Sequence, residues 1–314
     1  MKQRIKLLAA TLAGMGIPGI GEVHMVTRSG AYEPYSYWTD LVDPDRAHTS
    51  ITTAEGLMTT GRNDVMLLSP DSHSQAAGIT WDLNLAHLVG MYPPQRMNMR
   101  SRIGHSANFA TLLTVSGYGN SFWNLYFMHG RGSATNLNCL TVSGDRNSFH
   151  NCHFLPAHAT EFDTSGYDLI RLNCGEGYFH KCFFGGDTVA MGAVDLIRIY
   201  GASDRSCRVV FEDCIFLVNQ DAGADGNFIE TVAGNGTGVV WFLNCQFVNI
   251  GTAMTLAIDG TGLGNQKFYF DSRCSFSGVT DICTNGKDTN ILCGYNYEGS
   301  TDADNLIAGF ADHT

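Results

Sequence analysis

Six segments of the chain align when written beneath one another: LLTVSGYGNSFWNLYF, CLTVSGDRNSFHNCHF, LIRLNCGEGYFHKCFF, LIRIYGASDRSCRVVFEDCIF, IETVAGNGTGVVWFLNCQF and LAIDGTGLGNQKFYFDSRCSF. One column reads Leu125, Cys152, Cys182, Cys214, Cys245 and Cys274, with Cys293 a candidate next member at a shorter interval. Two residues later stand Phe127, Phe154, Phe184, Phe216, Phe247 and Phe276, extending to Tyr295. Phe122, Phe149, Phe179, Phe211 and Phe242 precede the first column by three residues, and Phe270 is displaced by one, as a bulge would displace it. Upstream lies a third apolar strand: Leu113/Val115, Leu140/Val142, Ile170/Leu172, Ile197/Ile199, Ile229 and Leu256/Ile258. Copies recur every 27 to 32 residues, the period of a solenoid in which each repeat is one supersecondary unit.

Within NSFHNCHF the apolar alternation changes phase at Asn151, and the aligned positions are Asn124, Lys181, Asp213, Asn244 and Arg273. Asn and Asp tolerate the left-handed backbone conformation, so one such residue turns a strand through a corner without a loop. Phe149 points inward before the bend, and Cys152 and Phe154 point inward after it. Stacked at roughly 4.8 Å per rung, like residues then form internal ladders of Phe, Cys and Ile. Cys suits such a ladder, being small, apolar and tolerant of burial beside aromatic rings. The ten cysteines include no CxxC pair, and they march along an axis, so reduced core thiols are expected rather than bridges or metal ligands.

These columns and the asparagine-favouring corner resemble the pectate-lyase-like, right-handed parallel β-helix superfamily, over approximately residues 60 to 298. The expected fold is all-β: a single-stranded right-handed parallel β-helix with three strands per rung and about seven or more rungs. With 44% hydrophobic and 16% charged residues the chain can bury such a core. The expected organisation is an N-terminal arm and cap over 1–60, the β-helix over 61–298 and a tail over 299–314. A capping helix is expected from about Thr53 to Thr59, covering the open sheet edge, followed by a first strand at Val65 to Leu68. The start MKQRIKLLAATLAGMGIPGIG has the basic residues and apolar run of a signal peptide. The run is short and broken by Gly and Pro, so the preferred reading of residues 1–30 is an apolar arm that seeks a protein partner.

A net charge of −11 opposes a phosphate backbone. Arg96, Arg100 and Arg102 lie close together in PQRMNMRSRIG and read as a solvated loop. No P-loop, HExxH, nucleophile elbow or complete EF-hand loop is present. The glycine clusters GNGTG and GTGLG read as turns after the third strand. Asp221 and Asp225 have partial calcium-loop character without the closing Glu. No cofactor, nucleic acid or membrane partner is expected.

YDLIRL and VDLIRI place Asp168, Arg171, Asp195 and Arg198 at equivalent positions of neighbouring rungs, with Glu230 following. On the face where the superfamily binds glycans, Asp168, Asp195 and Glu230 are candidates for acid, base or metal ligand, with Arg171 or Arg198 contacting substrate. The preferred reading is a ladder of charges neutralising one another on the surface or at a subunit interface. His150 and His180 read as a stacked or solvated pair, and His153 as outward-facing. A stiff, capped β-helix with an arm, opened by a segment like NDVMLLSPDSHSQAAGITWDLNLAHLVGM, resembles bacteriophage virion proteins of the pectin-lyase-like fold. That resemblance implies a capsid decoration protein on the virion surface, a homotrimer anchored to a capsid or other virion protein through residues 1–30. The alternatives are a tailspike-like or secreted glycan-degrading lyase or hydrolase, and a glycan-binding adhesin.

Overall fold

Three parallel sheets wrap one apolar core, because every turn of the chain contributes one strand to each sheet in the same order. Sheet 1, which precedes the corner, has eleven strands; sheet 2, after it, and sheet 3, which closes the turn, have eight each. This is the all-β, right-handed parallel β-helix that the repeat predicts. The computed structural model describes residues 12–14, 16, 21–28, 42–94, 100–130, 132–133, 135, 137–162, 166–200, 207–224, 226–232, 237–262, 264–283 and 291–293. Most of the N-terminal arm, Arg96, Tyr295 and the tail 299–314 lie outside the described residues. Among the described residues no helix is long and apolar enough to cross a membrane.

The predicted columns stand in register. In sheet 1, Phe122, Phe149, Phe179, Phe211, Phe242 and Phe270 pair rung to rung. Their rings stack with centroids 4.7 to 5.0 Å apart. In sheet 2, Phe127, Phe154, Phe184, Phe216, Phe247 and Phe276 stack likewise, and the two files meet edge to face, as at Phe211–Phe216. Both arrangements suit the ring quadrupole, at about 0.5–1.5 kcal/mol per pair beyond area burial.

The cysteine file does more than fill space. Each thiol donates to the carbonyl of the Phe one rung back: Cys152 to Phe122 (3.5 Å), Cys182 to Phe149 (3.4 Å), Cys214 to Phe179 (3.4 Å), Cys245 to Phe211 (3.4 Å) and Cys274 to Phe242 (3.2 Å). A small side chain with a weak donor therefore serves carbonyls beside the bend. All nine cysteines that can be assessed are free.

At the corner, Asn124, Asn151, Lys181, Asp213 and Asn244 all take positive φ, between 52° and 57°. Each donates its N–H to the next rung, as Asn151 does to His180 O (2.8 Å), and side chains link Asn151 to Asn124 and Asn244 to Asp213, both at 2.7 Å. Arg273 departs from expectation. Sheet 1 runs unbroken to Phe270, so the extra residue is no bulge; it lies in a wider turn where Asp271 accepts from the N–H groups of Asn244 and Arg273. Cys293 also departs, pairing with Phe270 and so standing in the Phe file of sheet 1. In sheet 3, Ile258 pairs with Ile229, which places Leu256 ahead of the expected file, and the irregular second position is Thr231, whose hydroxyl bonds Asp259 O.

A second polar ladder, unforeseen in the sequence, lies at the turn from sheet 3 to sheet 1. Asn120 Oδ1 accepts from Ala86 N (2.9 Å), Asn147 Oδ1 accepts from Asn120 N (3.0 Å), and the Asn147 amide donates to Gly117 O and Gly144 O. These glycines are required by close approach: a Cβ on Gly117 would lie 1.9 Å from Leu83 O, and one on Gly144 1.9 Å from Gly117 O.

At the N-terminal end, part of the expected cap is strand instead. Val23–Val26 and Ala47–His48 extend sheet 1 beyond Val65–Leu68, leaving a two-residue strand at the edge. The capping helix is Ile51–Glu55, earlier than expected because Ser50 caps it, accepting from Thr53 N at 3.4 Å. Its Ile51 and Ala54 close the core over Trp81.

Two outcomes follow. Lys181→Asn relieves a left-handed lysine and joins the corner ladder, so it is expected to raise stability by about 1 kcal/mol, seen as a higher denaturant midpoint at unchanged slope. The eight buried thiols are expected to resist a thiol reagent at neutral pH in the native protein, with all ten reacting in denaturant without reductant. Burial pushes the thiols of Cys152, Cys182 and Cys214 up, which reinforces this protection.

Candidate functional site

The charged candidates sit where sheet 3 breaks its own alternation. Thr111, Asn138, Asp168, Asp195 and Asn227 form one file at the start of its strands. Thr141, Arg171, Arg198 and Glu230 form another, three residues on. Leu169 and Ile170 both enter the core, as do Leu196 and Ile197. Two successive inward residues put the flanking Asp and Arg on the same side, although a regular strand would place them on opposite faces.

This phase break gathers all five predicted residues. Arg171 Nε donates to Asp168 Oδ2 at 2.6 Å, and its Nη2 to Gly166 O at 2.7 Å. Arg198 is the hub: it pairs with Asp168 (3.1 Å), with Asp195 (3.4 Å) and with Glu230. Asn227 donates to Asp195 Oδ1 at 3.1 Å, and Asn138 to the Asp168 carbonyl at 3.2 Å. The charges pair with one another, and they do so largely buried within the chain. The Asp168 side chain is 0% exposed, Asp195 9%, Arg198 20% and Glu230 24%.

Burial sets the protonation of this cluster. It pushes the Asp168 carboxyl up to about 6 against the opposing pull of Arg171 and Arg198. Asp195 is pushed up to about 8, by burial first and then by the neighbouring Glu230 carboxylate, against Asn227 and Arg198. Burial and the neighbouring carboxylate therefore favour the protonated form of Asp195 at neutral pH.

Asp168, Asp195 and Glu230 each offer an oxygen, all within 4.8 Å of one another. A calcium-type ion takes six to eight oxygen ligands, whereas here the Arg198 guanidinium already pairs with all three carboxylates. The donor set fits an internal cation better than a metal. Asp221 uses its Oδ1 on Ala222 N (2.8 Å) within its own turn, and Asp225 lies outside the described residues.

The remaining sequence candidates do not converge. His150 stacks on Trp123 with centroids 3.8 Å apart and meets His180 edge-on at 5.8 Å, so the expected histidine pair is T-shaped. His153 lies on the outer side of sheet 2, bonded to Gly185 O at 3.0 Å. Arg100 covers the Tyr126 ring and Arg102 bonds Ser72. Asn227 and Asn138, both missed in the sequence, join the cluster; the signal was their place in the Asp168–Asp195 file.

Replacing Arg198 with Met removes the cation shared by three carboxylates and is expected to cost about 3–5 kcal/mol near neutral pH. The loss should shrink as pH falls and the carboxyls protonate. For the wild-type protein, Asp168 and Asp195 have folded pKa values above their ordinary 3.8, so their contribution is fully present below that value and is lost as pH rises through about 6 and about 8. Asp195→Asn should flatten the upper part of this decline in unfolding measured against pH.

No protein-family model matches the sequence, and no curated protein matches it. Solved structures do. A pectin methylesterase in complex with a hexasaccharide superposes with a TM-score of 0.56 at 15% identity, over 93% of this chain and 97% of the other. Pectin methylesterase PemA from Erwinia chrysanthemi gives 0.55 at 15% identity, over 93% and 97%. Pectate lyase Pel9A gives 0.52 at 12% identity, over 91% and 82%. These likenesses support the pectin-lyase-like fold and lend nothing to the virion resemblance. In architecture the chain is a pectin-lyase-like parallel β-helix.

Proposed function

We propose that the protein is a glycan-degrading enzyme whose chemical centre is the carboxylate cluster of sheet 3. The observation that carries this reading is geometric: Asp168, Asp195 and Glu230 each present an oxygen within 4.8 Å of the others around the Arg198 guanidinium, with Asp195 more buried than Glu230, so that their environments differ as acid and base require. Asp195, pushed up to about 8, keeps its proton at neutral pH and donates it to the leaving-group oxygen. Glu230, the most exposed of the three carboxylates, is the attacking group. Asp168 is closed to solvent and acts by holding Arg171 and Arg198. The two arginines, committed to carboxylates, position the cluster rather than grip substrate.

Carboxylate oxygens within 4.8 Å leave no room for the water that an inverting hydrolase places between groups about 6.5–9.5 Å apart. The spacing favours double displacement. Glu230 attacks the sugar carbon as Asp195 protonates the departing oxygen; water then releases the glycosyl group and returns a proton to Asp195. The names of the fold neighbours, pectin methylesterase and pectate lyase, accord with a glycan substrate, although one fold hosts many activities.

A structural role is favoured by a different observation: the cluster balances its own charges and seals Asp168 from solvent. On that reading the protein is a virion-surface homotrimer anchored by residues 1–30. A screen of neutral and acidic polysaccharides separates the two. The enzyme reading expects turnover that falls above about pH 8 as Asp195 loses its proton. It also expects Asp195→Asn and Glu230→Gln to lose at least about 10²-fold in rate while remaining folded. Turnover that survives both substitutions removes the cluster from the chemistry. Absence of turnover across the panel, with the chain attached to virus particles, returns the structural role.

A further inference from the structure

A surface groove crosses four successive turns where sheet 3 hands over to sheet 1. Tyr118, Asp145, Arg146, Glu176 and Arg208 line it, and Gly144 lies in its floor, around about 520 Å³. That volume is within the usual range of ligand sites, about 300–1,000 Å³. Tyr118 is 52% exposed, although its backbone is pinned: its N–H donates to Asn84 Oδ1 and its carbonyl accepts from Leu85 N, both at 3.0 Å. Glu176 bridges two guanidiniums, accepting from Arg146 Nε at 2.8 Å and pairing with Arg208 Nη2 at 3.1 Å. Asp145 Oδ1 accepts from Gly175 N at 2.6 Å. Gly144, itself without a side chain, packs closely on the backbone of Gly117 one rung back.

We propose that this groove binds an uncharged oligosaccharide lying along the helix axis, one sugar face on Tyr118 and its hydroxyls on Arg146, Glu176 and Arg208. The inference rests on the glycan reading above and adds the class of glycan. Among the described residues that line the groove, two acidic and two basic side chains balance, so these offer no net charge to an ionic ligand. Ion-paired guanidinium and carboxylate groups retain further donors and acceptors, which suit neighbouring hydroxyls. A polyanionic chain would also meet the −11 charge of the whole protein. The described residues that line the groove include no buried apolar anchor of the kind on which protein partners depend. Two of the groove's four rungs, those of the strands Asp168–Leu172 and Asp195–Tyr200, also carry carboxylates of the cluster, and the first of these strands runs from the cluster toward Gly175 and Glu176.

The test is binding of the full-length protein to cello-, xylo- and malto-hexaose and to acidic hexasaccharides from polygalacturonate and heparin, at low and physiological salt. The expected result is binding of at least one neutral hexaose with little salt dependence. Tyr118→Ala and Arg208→Ala should each weaken it by about tenfold or more, a loss far above measurement error, with unfolding unchanged. Binding confined to the acidic probes, loss of affinity with salt, or neutral binding indifferent to Tyr118→Ala overturns the proposal. So does the absence of any glycan binding. The two proposals fail separately: Asp195→Asn should leave hexaose binding intact, so binding without turnover sinks only the enzyme, and turnover indifferent to Tyr118 sinks only the groove.

Discussion

The left-handed corner after sheet 1 is the constraint on which the rest of the structure depends. One residue with positive φ turns the chain from one sheet to the next with no loop to vary in length. Because the bend occurs at the same place in five successive rungs, Phe must fall on Phe and Cys on Cys. The corner thus converts a sequence period into a register. Where a rung departs from it, at Asp271–Arg273, the strand before and the strand after still keep their partners, since the extra residue is absorbed in the turn.

Register in turn explains why like residues are tolerated in such long files. Stacked Phe rings at about one strand spacing satisfy packing and ring electrostatics together. The cysteine file gives the corner carbonyls a donor without bringing in a large polar group. Asn120 and Asn147 do the equivalent task at another turn, where glycines allow backbone to touch backbone. A stack of this kind is stiff along its length, which suits either presentation of a long ligand or regular assembly.

Charge is treated differently from apolar surface. In sheet 3 the same in-register logic brings two Asp and two Arg into adjacent rungs, and a break in alternation draws them under the surface. Taking carboxylates out of water is costly unless a cation accompanies them, and Arg198 supplies it for three at once. The residual asymmetry falls on Asp195, whose carboxyl is pushed up to about 8 by burial and by Glu230. The groove at the next turn is built of similar residues but stays open to solvent, with its aromatic ring displayed.

The sequence by itself determined the repeat, its three strands per rung, the position of the corner and the identity of the stacked files, because a fixed period and a left-handed residue type are local properties. It also brought Asp168, Arg171, Asp195, Arg198 and Glu230 together as one group. It did not reveal the strands at Val23–Val26 and Ala47–His48, whose partners lie far along the chain, nor the shift of Cys293 into the Phe file, which spacing alone mistook. Only the tertiary structure decided how deeply the charges are buried, that one arginine serves three carboxylates, and that residues from four separate turns close a groove. Burial and convergence depend on what neighbouring rungs place beside a residue, and no single stretch of chain contains that information.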